Sequence, residues 1–395
     1  MTNFSLGIKV IFDDDWAGAD EGWVQFLFYV AVTAFLSIVN AVACRRDPVL
    51  PWFNNILGIS FGTLFVIFLI ALIICVGTQK DLHFQSGSFV FGTWINQTGW
   101  SSGVTWFTGL IQAAYGLTAS ESAIHMVEEL PSPRENAPKV MYYAVVFGAL
   151  SGGVFMVVCL FCIQDLDMLL NSKTPFIQLV TSTIGQGGGA VLIVLFVANG
   201  LGQGVSILTT ASRLSWGFAR DGGLPWSEYF SDVNRTWKVP LRMLCLNGFL
   251  VALIGILYLF SNTVLQAVLS VSTIALTMSY GLPIMTLLIV GREKLPHGEF
   301  SLGRCGVVVN WISVTYCAIT TVFFFFPSSP DPVPADMNYA IAVFGIMMII
   351  ALAFWFFRGK RTYLQNDGAM LEIFRAAQLE NNDPPYITGL VASKK

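Results

Sequence analysis

Long apolar runs, each ended by a short polar interval, set the rhythm of this chain. A run of about 20 apolar residues is long enough to cross a bilayer as a helix. Nine such runs are legible, at residues 23–43, 56–77, 103–126, 140–163, 188–212, 243–261, 264–290, 305–327 and 338–357. They predict an all-α polytopic membrane protein with one transmembrane domain over 23–357. An extracellular N-terminal segment, 1–22, and a cytoplasmic tail, 358–395, flank it; the tail has one helical stretch near 369–379.

Three runs carry more than hydrophobicity. The third begins apolar and then stops being so: Gly116, Thr118, Ser120, Glu121 and Ser122 interrupt it. An amphipathic piece with His125, Glu128 and Glu129 follows, and Pro131, Pro133 and Pro138 close it. Unwound backbone in a bilayer is tolerated only where protein or a watery cavity satisfies it. The break therefore predicts a substrate site lined by Tyr115, Gly116, Leu117, Thr118, Ser120 and Glu121. A carboxylate at bilayer depth costs roughly 2.5–3.5 kcal/mol on insertion scales. Glu121 thus either needs a partner, a cavity or a proton, or already stands at the inner interface. In the fifth run Asn199, Gln203 and Ser206 recur at helical spacing and form one polar stripe. Such a stripe turns inward; it either glues helices together or lines the substrate path. In the seventh run Ser279-Tyr280-Gly281-Leu282-Pro283 predicts a second kink or break.

Composition removes several function classes. Hydrophobic residues make up 55% of the 395 and charged ones only 11%, against about 25% charged in soluble domains. The seven cysteines lie in or beside apolar runs, including the mid-span pair Cys159 and Cys162, and read as small packing residues. His125, Glu128 and Glu129 lack the second histidine of a zinc box, and the chain has three histidines in all. No nucleophile–base pair stands out, so no enzyme is expected. Neither a cofactor nor a nucleic-acid partner is implied.

Charge sets the orientation. With the connections taken alternately, 18 of the 21 Lys and Arg residues fall on one side, leaving Lys9, Lys80 and Lys173 on the other. By the positive-inside rule the basic side and the C-terminus face the cytosol. Nine spans then put the N-terminus outside, although residues 1–22 show no signal-peptide pattern. The sequons at Asn3 and Asn96 fall on the outer side, and Asn96 is the expected glycosylation site; that at Asn234 falls inside.

Four blocks, in order, carry a family resemblance. Ser120-Glu121-Ser122-Ala123-Ile124-His125-Met126-Val127-Glu128-Glu129-Leu130-Pro131 resembles the D-A-A-x-H-x-x-E-E-[IL] block of the amino acid–polyamine–organocation permeases. Residues 211–225 resemble that family's A-S-R-x-x-x-x-x-A-R-D-G-x-L-P block. Phe300-Ser301-Leu302-Gly303-Arg304 and Met337-Asn338-Tyr339 are similar to its late motifs. The similarity is to the fungal choline, GABA and amino acid permease branch in particular. It implies a LeuT-like inverted-repeat fold, in which the nine spans correspond to family helices four to twelve. The chain would then be N-terminally truncated, without the glycine-rich first helix that grips the substrate carboxylate. The break falls on the family's sixth, substrate-holding helix, and Glu121 stands where the family has Asp. The implied activity is transport of amino acids or related amines such as choline or GABA across the plasma membrane by alternating access, with protons as the coupling ion. Two alternatives stay open: a truncated product that does not transport, and a membrane sensor that binds substrate without moving it.

Overall fold

The computed structural model describes residues 21–45, 49–172, 174–234, 236–237, 239–256, 262–292, 301–333 and 337–363. The expected tail helix near 369–379, the Asn3 sequon and the polar N-terminal residues 1–20 lie outside that set. Among the described residues every regular element is helical; the one β-type contact is an isolated bridge between Asn234 and Val239.

Among the described residues seven helices are long and apolar enough to cross a membrane: Gly22–Cys44, Val49–Thr78, Pro133–Phe161, Gln186–Arg220, Ser270–Val290, Gly303–Phe324 and Ala340–Thr362. Two expected spans differ. The third is a 15-residue helix, Ser102–Gly116, followed by a 3-10 helix, Ser120–Glu129. The sixth is Leu241–Gly255, also 15 residues. At about 1.5 Å per residue each covers only part of a hydrocarbon core about 30 Å thick. An apolar helix that periodicity did not reveal, Pro175–Ile184, is only 10 residues long.

Two further expectations need correction. Pro131 does follow the broken segment, but Pro133 opens the next helix and Pro138 lies inside it. Proline is well placed in a first turn, where an N–H would have no partner. The fifth helix runs beyond its apolar run and ends at Arg220, just before Gly222 and Gly223. The seventh helix is not interrupted: Asn262–Val290 runs through Gly281 and Pro283. A proline removes one backbone bond. Gly281 serves packing there, since a Cβ at this position would stand 3.1 Å from the Cβ of Cys317.

The chain forms two compact units. One comprises Met1–Gly99, Tyr143–Gly217 and Tyr229–Leu265; the other comprises Trp100–Tyr142, Phe218–Glu228 and Gln266–Lys395. In the first, Leu64, Phe68, Ile177, Val180, Ile193 and Val197 pack as one cluster. Phe68 meets the ring of Phe176 at 5.7 Å and that of Phe196, edge-on, at 6.3 Å. The short 175–184 helix packs into this cluster through Ile177 and Val180 and ends at Gly185, φ 88. A polar tie crosses the same unit: Asn40, fully buried, donates to the Val205 carbonyl at 2.9 Å and to Thr209 Oγ1 at 2.5 Å.

In the second unit Val271, Ile274, Phe324 and Ala340 form a core against Leu110, Ile111 and Ala114 of the broken helix. Phe107 stacks on Phe323 at 4.6 Å, and Trp100 Nε1 donates to the Pro327 carbonyl at 3.1 Å. Asn338 caps the Gly306–Phe324 helix by donating to the carbonyls of Phe324 and Phe326, each at 3.0 Å. The helical exteriors are apolar, with Ile59 72% and Phe357 84% exposed. A soluble protein rarely presents such a surface, whereas lipid accepts it because the helices satisfy their own backbone.

Candidate functional site

The break in the third run is built from local backbone chemistry. The Ser102–Gly116 helix ends when Leu117 leaves the helical region, at φ −102 and ψ 4. The freed carbonyls of its last turn are taken up at once: Leu117 N donates to Ala114 O at 3.2 Å and Thr118 N to Tyr115 O at 3.2 Å. Thr118 Oγ1 adds a second bond to Tyr115 O at 2.7 Å. Ala119 then adopts the left-handed conformation, φ 69, and the chain re-enters as the 3-10 helix. For a residue with a Cβ that conformation is unfavourable and persists only where the surroundings impose it. A 3-10 run of ten residues is also unusually long, and it is relieved by a non-helical residue at Met126, φ −118.

The predicted lining residues sit around this break as follows. Tyr115 is half exposed and Leu117 more than a third exposed. Gly116 has open space where a side chain would project, and Thr118 and Ser120 are part-buried. Glu121 lies in the first turn of the 3-10 helix. Its Oε2 is buried and accepts no hydrogen bond from any described residue. Tyr280, on the Asn262–Val290 helix, lies beside the Glu121 carboxyl. Glu121 was legible in the sequence as a carboxylate at the break, but Tyr280 as its neighbour was not. The only signal for Tyr280 was its polar hydroxyl inside an apolar run. His125 follows on the same short helix, and the side chains of Glu128 and Glu129 lie outside the described residues. Among the described residues no group of three or more His, Cys, Asp or Glu is arranged to hold a metal.

The second predicted set, Asn199, Gln203 and Ser206, belongs to the other unit. Asn199 Nδ2 donates to Ser60 Oγ at 2.6 Å, and Ser206 Oγ donates to Asn54 Oδ1 at 2.7 Å. Both bonds tie the Gln186–Arg220 helix to Val49–Thr78. Gln203 is half-buried between them. The Asn199 Oδ1 is buried and accepts no hydrogen bond among the described residues. The partners Asn54 and Ser60 had been invisible as partners, because periodicity on one helix does not say which neighbour it faces.

On the predicted outer side Asn96 folds back on its own sequon. Its Oδ1 accepts from the Thr98 N–H at 3.0 Å and from the Thr98 hydroxyl at 2.8 Å, an Asx turn.

Comparison with known proteins places these features in a family context. The sequence profile described as amino acid permease matches residues 3–357. The choline transporter of Saccharomyces cerevisiae is 30% identical over 345 residues, which covers 86% of this chain and 60% of that protein. An uncharacterized amino-acid permease of Schizosaccharomyces pombe is 28% identical over 359 residues, or 90% of this chain and 64% of that one. Amino-acid permease 2 of Neurospora crassa is 29% identical over 317 residues, 79% of this chain and 58% of that protein. The chain thus spans roughly three fifths of the length of these curated relatives.

Proposed function

This chain belongs to the amino acid permease family, and we propose that it takes part in moving an amino acid or a small amine across a membrane by alternating access. Membership and seven helices of spanning length make it an integral, multi-pass membrane protein. The observation that carries the transport reading is the break at Leu117–Ala119, which ends one helix and starts another beside a buried, incompletely bonded carboxylate. A broken helix near the bilayer midplane offers backbone groups and helix ends of opposite partial charge to a small polar substrate.

The finer assignments belong to the same proposal. Tyr115, Gly116, Leu117, Thr118, Ser120 and Glu121 line the substrate site, with Asn199, Gln203 and Ser206 along the path. Choline and GABA are the first substrates to try, since one relative is named a choline transporter and the sequence blocks resemble that branch. Protons are the proposed coupling ion. The plasma membrane is the proposed location, with the C-terminus on the cytosolic side, as the 18-to-3 distribution of basic residues suggests.

The test is to place cysteines singly at Leu117, Thr118 and Ser120 and to express each form in a transport-deficient host. Water-soluble thiol reagents are expected to label them, and saturating substrate to slow the labelling. Saturable uptake should accompany this protection. Protection without uptake would identify a sensor, and uniform inaccessibility of all three positions would remove the site from the break.

A further inference from the structure

We propose that the basic turn Arg358–Arg361 is a binding site for the headgroup of an anionic phospholipid. The inference goes beyond the transport reading and does not depend on it; it needs only that the chain resides in a membrane.

Sequence and length place the turn. From Ala340 to Phe357 every residue is apolar, and the next four, Arg358-Gly359-Lys360-Arg361, carry three cations. The Ala340–Thr362 helix has 23 residues, which makes it about 34 Å long against a hydrocarbon core about 30 Å thick. With its apolar stretch in the core, its last turn stands among the headgroups. Phe356 and Phe357 are exposed just before it, so the acyl-chain region begins directly beside the cations.

Arg358, Lys360 and Arg361 are exposed, and none forms an ion pair with a described carboxylate. Lys360 Nζ lies 4.7 Å from the centre of the Phe356 ring; its stem runs back over apolar surface while the ammonium stays at the boundary. Arg358 and Arg361, three positions apart, are neighbours on a helix surface, where like charges repel. The negative end of the helix dipole offsets part of that repulsion, but it offers the two guanidinium groups no anionic oxygens. A phosphate does, and an Arg can meet it with two parallel N–H bonds.

The turn is held in shape by the protein itself. Trp355–Gly359 winds as a single π-helical turn, a rare form that recurs at functional sites. Gly359 is buried, and a Cβ there would stand 3.0 Å from Trp355 Cε3. Tyr363 N donates to Gly359 O at 2.9 Å, and Thr362 Oγ1 donates to Gly222 O in the same compact unit. A preformed cluster loses less freedom on binding than a mobile one. The exposed phenylalanines favour a lipid over a free phosphate, since only a lipid brings acyl chains to pack on them.

Phosphatidylserine and phosphatidylcholine are the probes, because they share glycerophosphate and acyl chains and differ in net charge. The full chain is purified in neutral detergent, and binding of each lipid is measured by native mass spectrometry. Phosphatidylserine is expected to bind at least about tenfold more tightly, a basic residue near an anionic surface being worth about fivefold. Arg358→Gln with Lys360→Gln and Arg361→Gln should remove that preference. Arg45→Gln with Lys80→Gln and Arg304→Gln removes the same charge elsewhere and should keep it. Equal binding of the two lipids by the wild type, a preference that survives in the folded turn variant, or its loss in the folded control variant overturns the inference. Arg361→Gln alone, at an exposed position, tests the site even if the triple variant does not fold. It should weaken phosphatidylserine binding about fivefold, and an unchanged affinity overturns the inference as well. Glycerophosphoserine, the same headgroup without acyl chains, should bind far more weakly. Affinity equal to that of the lipid would make this a site for soluble phosphates and overturn the lipid assignment.

Discussion

The hydroxyl of Thr362 donates to the carbonyl of Gly222 at 3.0 Å, across 140 positions of sequence. The contact fastens the end of the last described helix to the loop that follows Arg220. Tyr363 adds to it by packing on Phe218 at 5.5 Å and edge-on to Trp355 at 6.4 Å. Gly222 is held at φ +78, and a Cβ there would press into the Thr362 carbonyl oxygen.

Gly222→Ala is accordingly expected to lower stability by about 1–3 kcal/mol, from left-handed strain together with the clash. Thr362→Val keeps the shape and loses the hydroxyl, and should cost about 1 kcal/mol. Thermal unfolding of purified protein in detergent reads both. A Gly222→Ala form as stable as the wild type would mean that the contact does not hold in the membrane protein.

In the other unit, the Leu241–Gly255 helix approaches Gly22–Cys44 closely at its end. A Cβ on Gly255 would stand 2.5 Å from Cδ1 and 2.8 Å from Cε1 of the Tyr29 ring. Overpacking of this kind costs about 1–3 kcal/mol. Gly255→Ala should show that loss in a thermal scan, and adding Tyr29→Ala should make the second substitution cheaper than it is alone. Strict additivity of the two would sink the contact.

The buried amides should rank by how completely they are bonded. Asn40 has two acceptors within reach, Val205 O and Thr209 Oγ1; Asn40→Ala is expected to cost about 1–2 kcal/mol. The Asn199–Ser60 bond joins two helices, and such bonds between membrane helices average about 0.6 kcal/mol in double-mutant cycles. Asn199→Ala with Ser60→Ala should return a coupling of that order. A substrate affinity that falls far more than stability does in Asn199→Ala would point instead to a role along the path.

The Asn96 loop is expected on the outer face. Expressed in a eukaryotic host, the chain should run with reduced mobility that endoglycosidase treatment reverses, and Asn96→Gln should abolish the shift. A wild-type chain carrying no sugar, in a host that modifies a control sequon at the same site, would place the loop on the other side.

How much of this could be read beforehand varies with the kind of interaction. The break at Gly116–Glu121 was visible because polar residues and a carboxylate have no reason to sit in an apolar run unless something pays for them. The kink or break expected at Gly281–Pro283 is not a break, since the helix runs through it. Gly and Pro permit a break without requiring one; at Gly281 the missing side chain serves contact with Cys317. The 175–184 helix escaped notice because a length of 10 residues carries no bilayer-spanning signal, and its apolar character is explained only by Phe68, Ile193 and their neighbours.

The sequence by itself determined what depends on composition and local pattern: helical class, membrane residence, an asymmetry of basic residues, a broken third run and a family. These follow from properties each residue carries with it, namely transfer free energy, charge and backbone preference. The tertiary structure alone decided which side chains meet. It set Tyr280 beside Glu121, Ser60 beside Asn199 and Thr362 beside Gly222. A helical period fixes the face on which a residue lies, but not the helix that face will meet. That choice is made by the packing of apolar surfaces and the pairing of buried polar groups among segments far apart in the chain.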